Sequence, residues 1–149
     1  MADHVPTGVL RLLDARDGRH CIWTATDGPT VVPQHRQGGM GGRKYKHRLA
    51  NLLWLDSILN GLIKDHADLQ ATATAWGIAI SLHADPEQIP VFRPHAHQWF
   101  RLTGNVRIPI TAGEALERMV AFYGPEYHAM KAVADGGVRA EVLARRGGW

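Results

Sequence analysis

The sequence predicts an α+β protein, and three observations carry that expectation. Short β-branched and aromatic runs bounded by turn residues recur in both halves of the chain. Residues 49–63 (LANLLWLDSILNGLI) place apolar side chains at 49, 52, 53, 55, 58, 59, 62 and 63, a helical spacing. A Thr-x-x-Glu capping box at Thr111 and Glu114 opens another helix after the last strand-like run. With 149 residues, 45% of them hydrophobic, the chain is long and apolar enough to bury one core of ordinary size.

Residues 9–17 (VLRLLDARD) form a short helix with Gly18 as its C-cap. Residues 21–25 (CIWTA) and 30–33 (TVVP) are strands of a hairpin turned at Asp27-Gly28. A glycine-rich basic loop follows, then the helix over 49–63. Residues 67–76 (ADLQATATAW) make a second helix, ended by Gly77. In the second half, residues 78–82, 91–92, 98–102 and 106–110 read as short strands, the last two joined at Gly104-Asn105. Pro86, Pro90, Pro94 and Pro109 confine them to edges and loops. The capped helix runs from Thr111 to Gly124, and a further helix covers 125–134. The tail over 136–149 holds an Ala- and Arg-rich helical segment with few anchoring residues. The expected organisation is a core over residues 1–77 and a small α+β appendage over 78–149, packed together as one unit.

Charge is unevenly placed along this chain. Seventeen Lys and Arg stand against 14 Asp and Glu, a net +3. Between Gly28 and Leu55 there is no acid, yet Arg36, Arg43, Lys44, Lys46 and Arg48 all fall there. Interleaved with Gly38, Gly39, Gly41 and Gly42, these cations suit a loop that sets positive charge and backbone N–H groups against phosphates. A solvated surface loop has the same composition. No apolar run approaches the roughly 18–20 residues of a membrane span. The N-terminus, with Asp3 and Pro6 and no apolar stretch before a small-residue cleavage site, does not read as a secretory signal. A cytoplasmic protein without membrane contact is expected. The single cysteine, Cys21, excludes an internal disulfide and a cysteine-rich zinc site.

Chemistry concentrates around His35 at the end of the second strand run, the basic loop, and Asn51 and Asn60 beyond it. Phosphodiester hydrolysis needs a base for water, a cation for the charge developing on phosphorus-bound oxygens, and positive groups along the backbone. A strand-end histidine, oxygen-bearing amides and a basic loop supply those types. Each also has a plainer role: a carbonyl-bonded loop histidine for His35, a helix cap for Asn51, and a helix end at Asn60-Gly61. His47 reads as a phosphate contact or a surface residue.

Residues 21–63 (CIWTATDGPTVVPQHRQGGMGGRKYKHRLANLLWLDSILNGLI) resemble the HNH endonucleases, the ββα-metal fold, and in particular the small HNH proteins of actinobacterial phages. The QHR triplet with its GGMGG loop, the RLANLL segment and the NGLI segment match the family's HH, N and H elements in order and spacing. Asp85-Pro86 and Pro90-Val91 extend the likeness, so that it covers about half the chain.

The resemblance implies a ββα-metal (HNH-like) core with a C-terminal strand and helix appendage. It implies a divalent-metal-dependent endonuclease that hydrolyses DNA, double-stranded DNA foremost, in the cytoplasm of a bacterial host. By position, His35 is the general base, and Asn51 fixes the loop and orients that histidine. Asn60 and Gln34 hold a single Mg²⁺ or Mn²⁺. Arg36, Arg43, Lys44, Lys46, His47 and Arg48 contact nucleic acid. Two positions depart from the common pattern: Gln34 stands where a metal-ligating His or Asp is usual, and Asn60 where a metal-binding His is usual, an HNN form. An amide oxygen is a reasonable ligand for a hard cation. Asp56, four residues before Asn60, shares its face of the expected helix and is a reserve ligand. Thr24 stands where relatives carry a second zinc-binding cysteine, so no structural zinc is expected. Neutral residues at both metal positions leave a second function open, a catalytically degenerate relative that keeps the fold as a nucleic-acid or protein binding module. A protein partner or a dimer through the C-terminal half fits either function.

Overall fold

In a computed structural model, which describes residues 4–38 and 45–136, the chain is an α+β arrangement. Among these residues it has five α-helices and two small antiparallel sheets. Helix α1 (Thr7–Asp17) stops at Gly18, whose φ of 67° lies where residues with a Cβ rarely go. Strands β1 (Val31–His35) and β2 (Leu52–Asp56) pair antiparallel, with Val31 opposite Asp56 and His35 opposite Leu52. Helices α2 (Ser57–Asp65) and α3 (Ala67–Ala75) follow. Strands β3 (Val91–Arg93), β4 (Gln98–Thr103) and β5 (Val106–Ile110) form the second sheet in chain order. Helices α4 (Ala112–Tyr123) and α5 (Tyr127–Asp135) complete the described chain.

The hairpin expected across Asp27-Gly28 does not form. Residues 21–25 turn back on themselves instead: Ala25 N–H donates to Cys21 O and Cys21 N–H to Thr26 O, each at 2.8 Å. The β-branched and aromatic content of that run is spent on burial rather than on a ladder, since Cys21 and Trp23 lie in the core. The partner of β1 is β2, which arrives after the basic loop.

The helix expected over 49–63 is three elements: a 3₁₀ turn (Leu49–Asn51), then β2, then α2. Residues 49–56 are buried without a break. A run covered on every side carries no clear polar phase by which strand and helix can be told apart. Asp56 sets the boundary between them. Its Oδ1 accepts from the N–H groups of Ile58 (2.8 Å) and Leu59 (3.3 Å), capping α2, and its Oδ2 accepts from Thr30 Oγ1 at 3.0 Å. Asp56 is therefore a buried helix cap, which corrects its reserve role as a metal ligand. Asp56→Ala is expected to lower stability by about 1–2 kcal/mol in urea denaturation, and Asp56→Asn, itself a good cap, by less.

The expected strand over 78–82 is also absent. That segment wraps Arg36, with Ile80 N–H donating to Arg36 O at 2.9 Å. It starts at Gly77, where φ is 69° and a Cβ would collide with Pro90 O. By contrast β3, β4, β5 and α4 fall where the sequence puts them, and Thr111 Oγ1 accepts from Glu114 N–H at 3.0 Å to cap α4. Of the expected tail helix, residues 137–149 lie outside the described residues.

One buried cluster runs through both halves, from Leu13 on α1 to Ala134 on α5. Trp23 meets Trp76 edge-on with ring centres 4.8 Å apart, and Tyr127 Oη donates to Ala75 O at 2.7 Å, fastening α5 to α3. Among the described residues no helix is long and apolar enough to cross a membrane.

Candidate functional site

His35 ends β1, the loop over 36–51 returns through Asn51 to β2, and β2 leads without a break into α2, which carries Asn60. Asn51 and Asn60 thus sit on separate elements, not on one helix as the apolar spacing predicts. Asn51 is 1% exposed and bridges the two ends of the loop. Its Oδ1 accepts from Gln37 N–H and its Nδ2 donates to Lys46 O, both at 2.9 Å. The segment around Asn51 is held in turn. Arg16 donates to the carbonyls of Leu49 (2.8 Å) and Leu52 (2.7 Å), and Arg36 N–H donates to Asn51 O at 2.7 Å. A buried carbonyl left unmatched is costly, so these bonds fix the floor of the loop in one shape.

Arg36 is not a surface cation. It is 1% exposed, and its guanidinium donates to the carbonyls of Gly77 (2.8 Å), Ala50 (2.9 Å), Pro86 (2.8 Å) and Ile89 (2.7 Å). Burial, with the nearby Arg16 charge, pulls its pKa down to about 9, which still leaves it a cation at pH 7. The expectation that Arg36 contacts nucleic acid is corrected: all three nitrogens of its planar fork are used to tie the 77–89 segment to the loop floor.

On the other side of the loop, His35 Nε2 and His47 Nδ1 lie 3.0 Å apart. One of the two nitrogens must offer a lone pair for that bond to exist. This pairing is the part of the site that sequence reading misses, because nothing in a separation of 12 residues signals a ring contact. Gln34, on the opposite face of β1 by strand alternation, turns toward α2, and Asn60 Nδ2 donates to its Oε1 at 3.3 Å. The two positions implied as metal ligands are therefore neighbours.

Among the described residues no three His, Cys, Asp or Glu side chains gather to hold a metal ion. What the Gln34–Asn60 pair offers is two neutral amide oxygens. Oxygen donors suit a hard cation such as Mg²⁺, and without a carboxylate most of its charge must be met by substrate phosphate and water. In this structure the two amides are bonded to each other, Gln34 Oε1 accepting from Asn60 Nδ2.

Lys46 and Arg48 flank His47. Arg48 Nη2 lies 3.3 Å from Asp85 Oδ1 and 3.7 Å from Glu87 Oε2, so part of its charge is answered within the fold. Arg43 and Lys44 lie outside the described residues. Between the 45–48 and 82–86 segments opens a cleft of about 450 Å³, with Tyr45, Lys46 and Arg48 on one side and His83 and Asp85 on the other. The Tyr-Lys pair inside a basic run is the sequence signal for this cleft.

No protein-family model, curated protein or solved structure matches the chain.

Proposed function

We propose that this chain is a divalent-metal-dependent endonuclease of the HNH, or ββα-metal, kind that hydrolyses DNA phosphodiester bonds with His35 as general base. The observation that carries this reading is the order strand, loop, strand, helix, with His35 closing the first strand, Asn51 bridging the loop, and Gln34 and Asn60 in contact between strand and helix. His35, Asn51 and Asn60 are 16 and 9 residues apart; His35 ends the β1–β2 pairing, Asn51 precedes β2 and Asn60 follows it on α2.

In this reading His35 takes a proton from water as the water attacks phosphorus. The bond between His35 and His47 gives way to that water when substrate settles on the loop, as hydrogen bonds at catalytic groups commonly rearrange on binding. Asn51 acts as a positioning residue: by gripping Gln37 N–H and Lys46 O it fixes the chain on the far side of His35 and next to His47. Lys46, with Arg43 and Lys44, supplies the positive field that draws in the backbone. Gln34 and Asn60 would hold Mg²⁺ or Mn²⁺, whose chemistry is to stabilise negative charge on the phosphoryl and leaving oxygens.

The ligand assignment has its own test. Asn60→Asp adds one anionic oxygen with little change in shape, and it is expected to lower the Mg²⁺ concentration for half-maximal cleavage by about tenfold. An unchanged Mg²⁺ dependence removes this pair from the metal site. One observation favours the second reading, a binding module without turnover: the amide pair carries no charge of its own. Salt-sensitive DNA binding without nicking of supercoiled plasmid in Mg²⁺ or Mn²⁺ is the result that selects it.

A further inference from the structure

The cleft between the 45–48 and 82–86 segments is a built feature, not a gap between mobile loops. Gln37 Nε2 donates to Ser81 O at 3.0 Å and also to Ala84 O, binding one lip to the loop base. Asn51 holds Gln37 N–H and Lys46 O at once, so two of the residues that reach the cleft from the loop are fixed to one buried side chain. Arg48 closes the arrangement through Asp85 and Glu87. Glu87 Oε2 is itself fixed by Gly104 N–H at 3.0 Å.

Its contents point to one kind of occupant. At about 450 Å³ the cleft falls within the range of sites for small organic groups. Tyr45 is 64% exposed, a large aromatic surface held out beside Lys46. An exposed aromatic next to a cation is the pairing that takes a nucleobase by its face and the adjoining phosphate by charge. Asp85 stands on the opposite side, paired with Arg48 at 3.3 Å, and the size of the cleft suits a single nucleotide instead of a run of backbone. His47, the ring partner of His35, lies between Lys46 and Arg48 in the chain.

We propose that this cleft holds one unpaired DNA nucleotide beside the scissile phosphate, with its base stacked on Tyr45 and its phosphate at Lys46. The proposal rests on the nuclease reading above. It makes the preferred substrate a duplex with a displaced or unpaired base, since a base stacked on Tyr45 is withdrawn from pairing.

The test uses the full chain, in EDTA so that no cleavage occurs, with two DNA duplexes of equal length. One carries a single bulged 2-aminopurine, and in the other the same 2-aminopurine is paired. Wild type is expected to bind the bulged duplex more tightly and to change the emission of its 2-aminopurine. Tyr45→Ala is expected to weaken that binding by about fivefold to a hundredfold, the loss associated with one stacked base, and to abolish the emission change. Tyr45→Phe keeps the ring and should behave as wild type. Binding to the paired duplex should be unaffected by either substitution. Equal affinity of wild type and Tyr45→Ala for the bulged duplex overturns the subsite while leaving the nuclease reading standing. Failure of the wild type to bind either duplex overturns both.

Discussion

His35→Ala is expected to reduce DNA cleavage by about 10²–10⁴-fold, the range for loss of a positioned general base, while DNA binding stays near wild type. The reason lies in the placement of His35. It ends β1, where its backbone is held by pairing with Leu52, and its ring faces the loop through His47. The backbone pairing does not depend on the imidazole, so removing the ring is expected to leave the fold intact. In the proposed reading the cations that attract DNA are on other residues, so the salt dependence of binding should keep its slope. His47→Ala provides the comparison. If His35 is the base and His47 its partner, His47→Ala retains more activity than His35→Ala. The reverse order would make His47 the base.

The largest expected effect on stability is at Arg36. Arg36→Ala removes four hydrogen bonds from a site with 1% exposure and leaves the carbonyls of Ala50, Gly77, Pro86 and Ile89 without that donor. A buried carbonyl left unmatched costs about 1–3 kcal/mol, so losing the donor to four of them removes a large part of the stability of most domains. Arg36→Lys is expected to recover little of this, because one ammonium on a flexible stem cannot reach four carbonyls arranged around a planar fork. Urea denaturation of both variants measures the effect. Were Arg36 a phosphate contact instead, Arg36→Lys would leave the denaturation midpoint and the DNA affinity close to wild type.

Much of the second half was legible because its punctuation is local. Gly104-Asn105 turns β4 into β5, and Thr111 with Glu114 starts α4, each within four residues. The first half was harder to read for a physical reason. β1 has two plausible partners in sequence, the neighbouring 21–25 run and the more distant 52–56 run, and the choice is made by what the core can bury. Residues 52–56 are buried on both faces, so they showed an apolar run that suits a helix as well as a strand. Asp56 carried the missing signal, an N-cap ahead of an apolar stretch, although inside a continuous helical spacing it reads as a reserve ligand on the face of Asn60.

At the candidate site, the family likeness singles out His35, Asn51, Asn60 and Gln34, and each lies in the strand, loop, strand, helix unit. What composition misjudged was Arg36. A cation inside a basic run reads as surface, and only the fold shows that it is the internal anchor of the 77–89 segment. His47 shows the opposite case: its place in the basic run suggests phosphate, whereas its nearest chemistry is the ring of His35. Contacts across the loop depend on how the loop closes, and that closure is set by Asn51.

The most direct test of the central claim is nicking of supercoiled plasmid DNA by purified wild type and His35→Ala, each with Mg²⁺, with Mn²⁺ and with EDTA. The account predicts nicking by wild type with either ion, none with EDTA, and a loss of about 10²–10⁴-fold in His35→Ala. Nicking that survives in His35→Ala, or no nicking by wild type under conditions where it binds the plasmid, would contradict it.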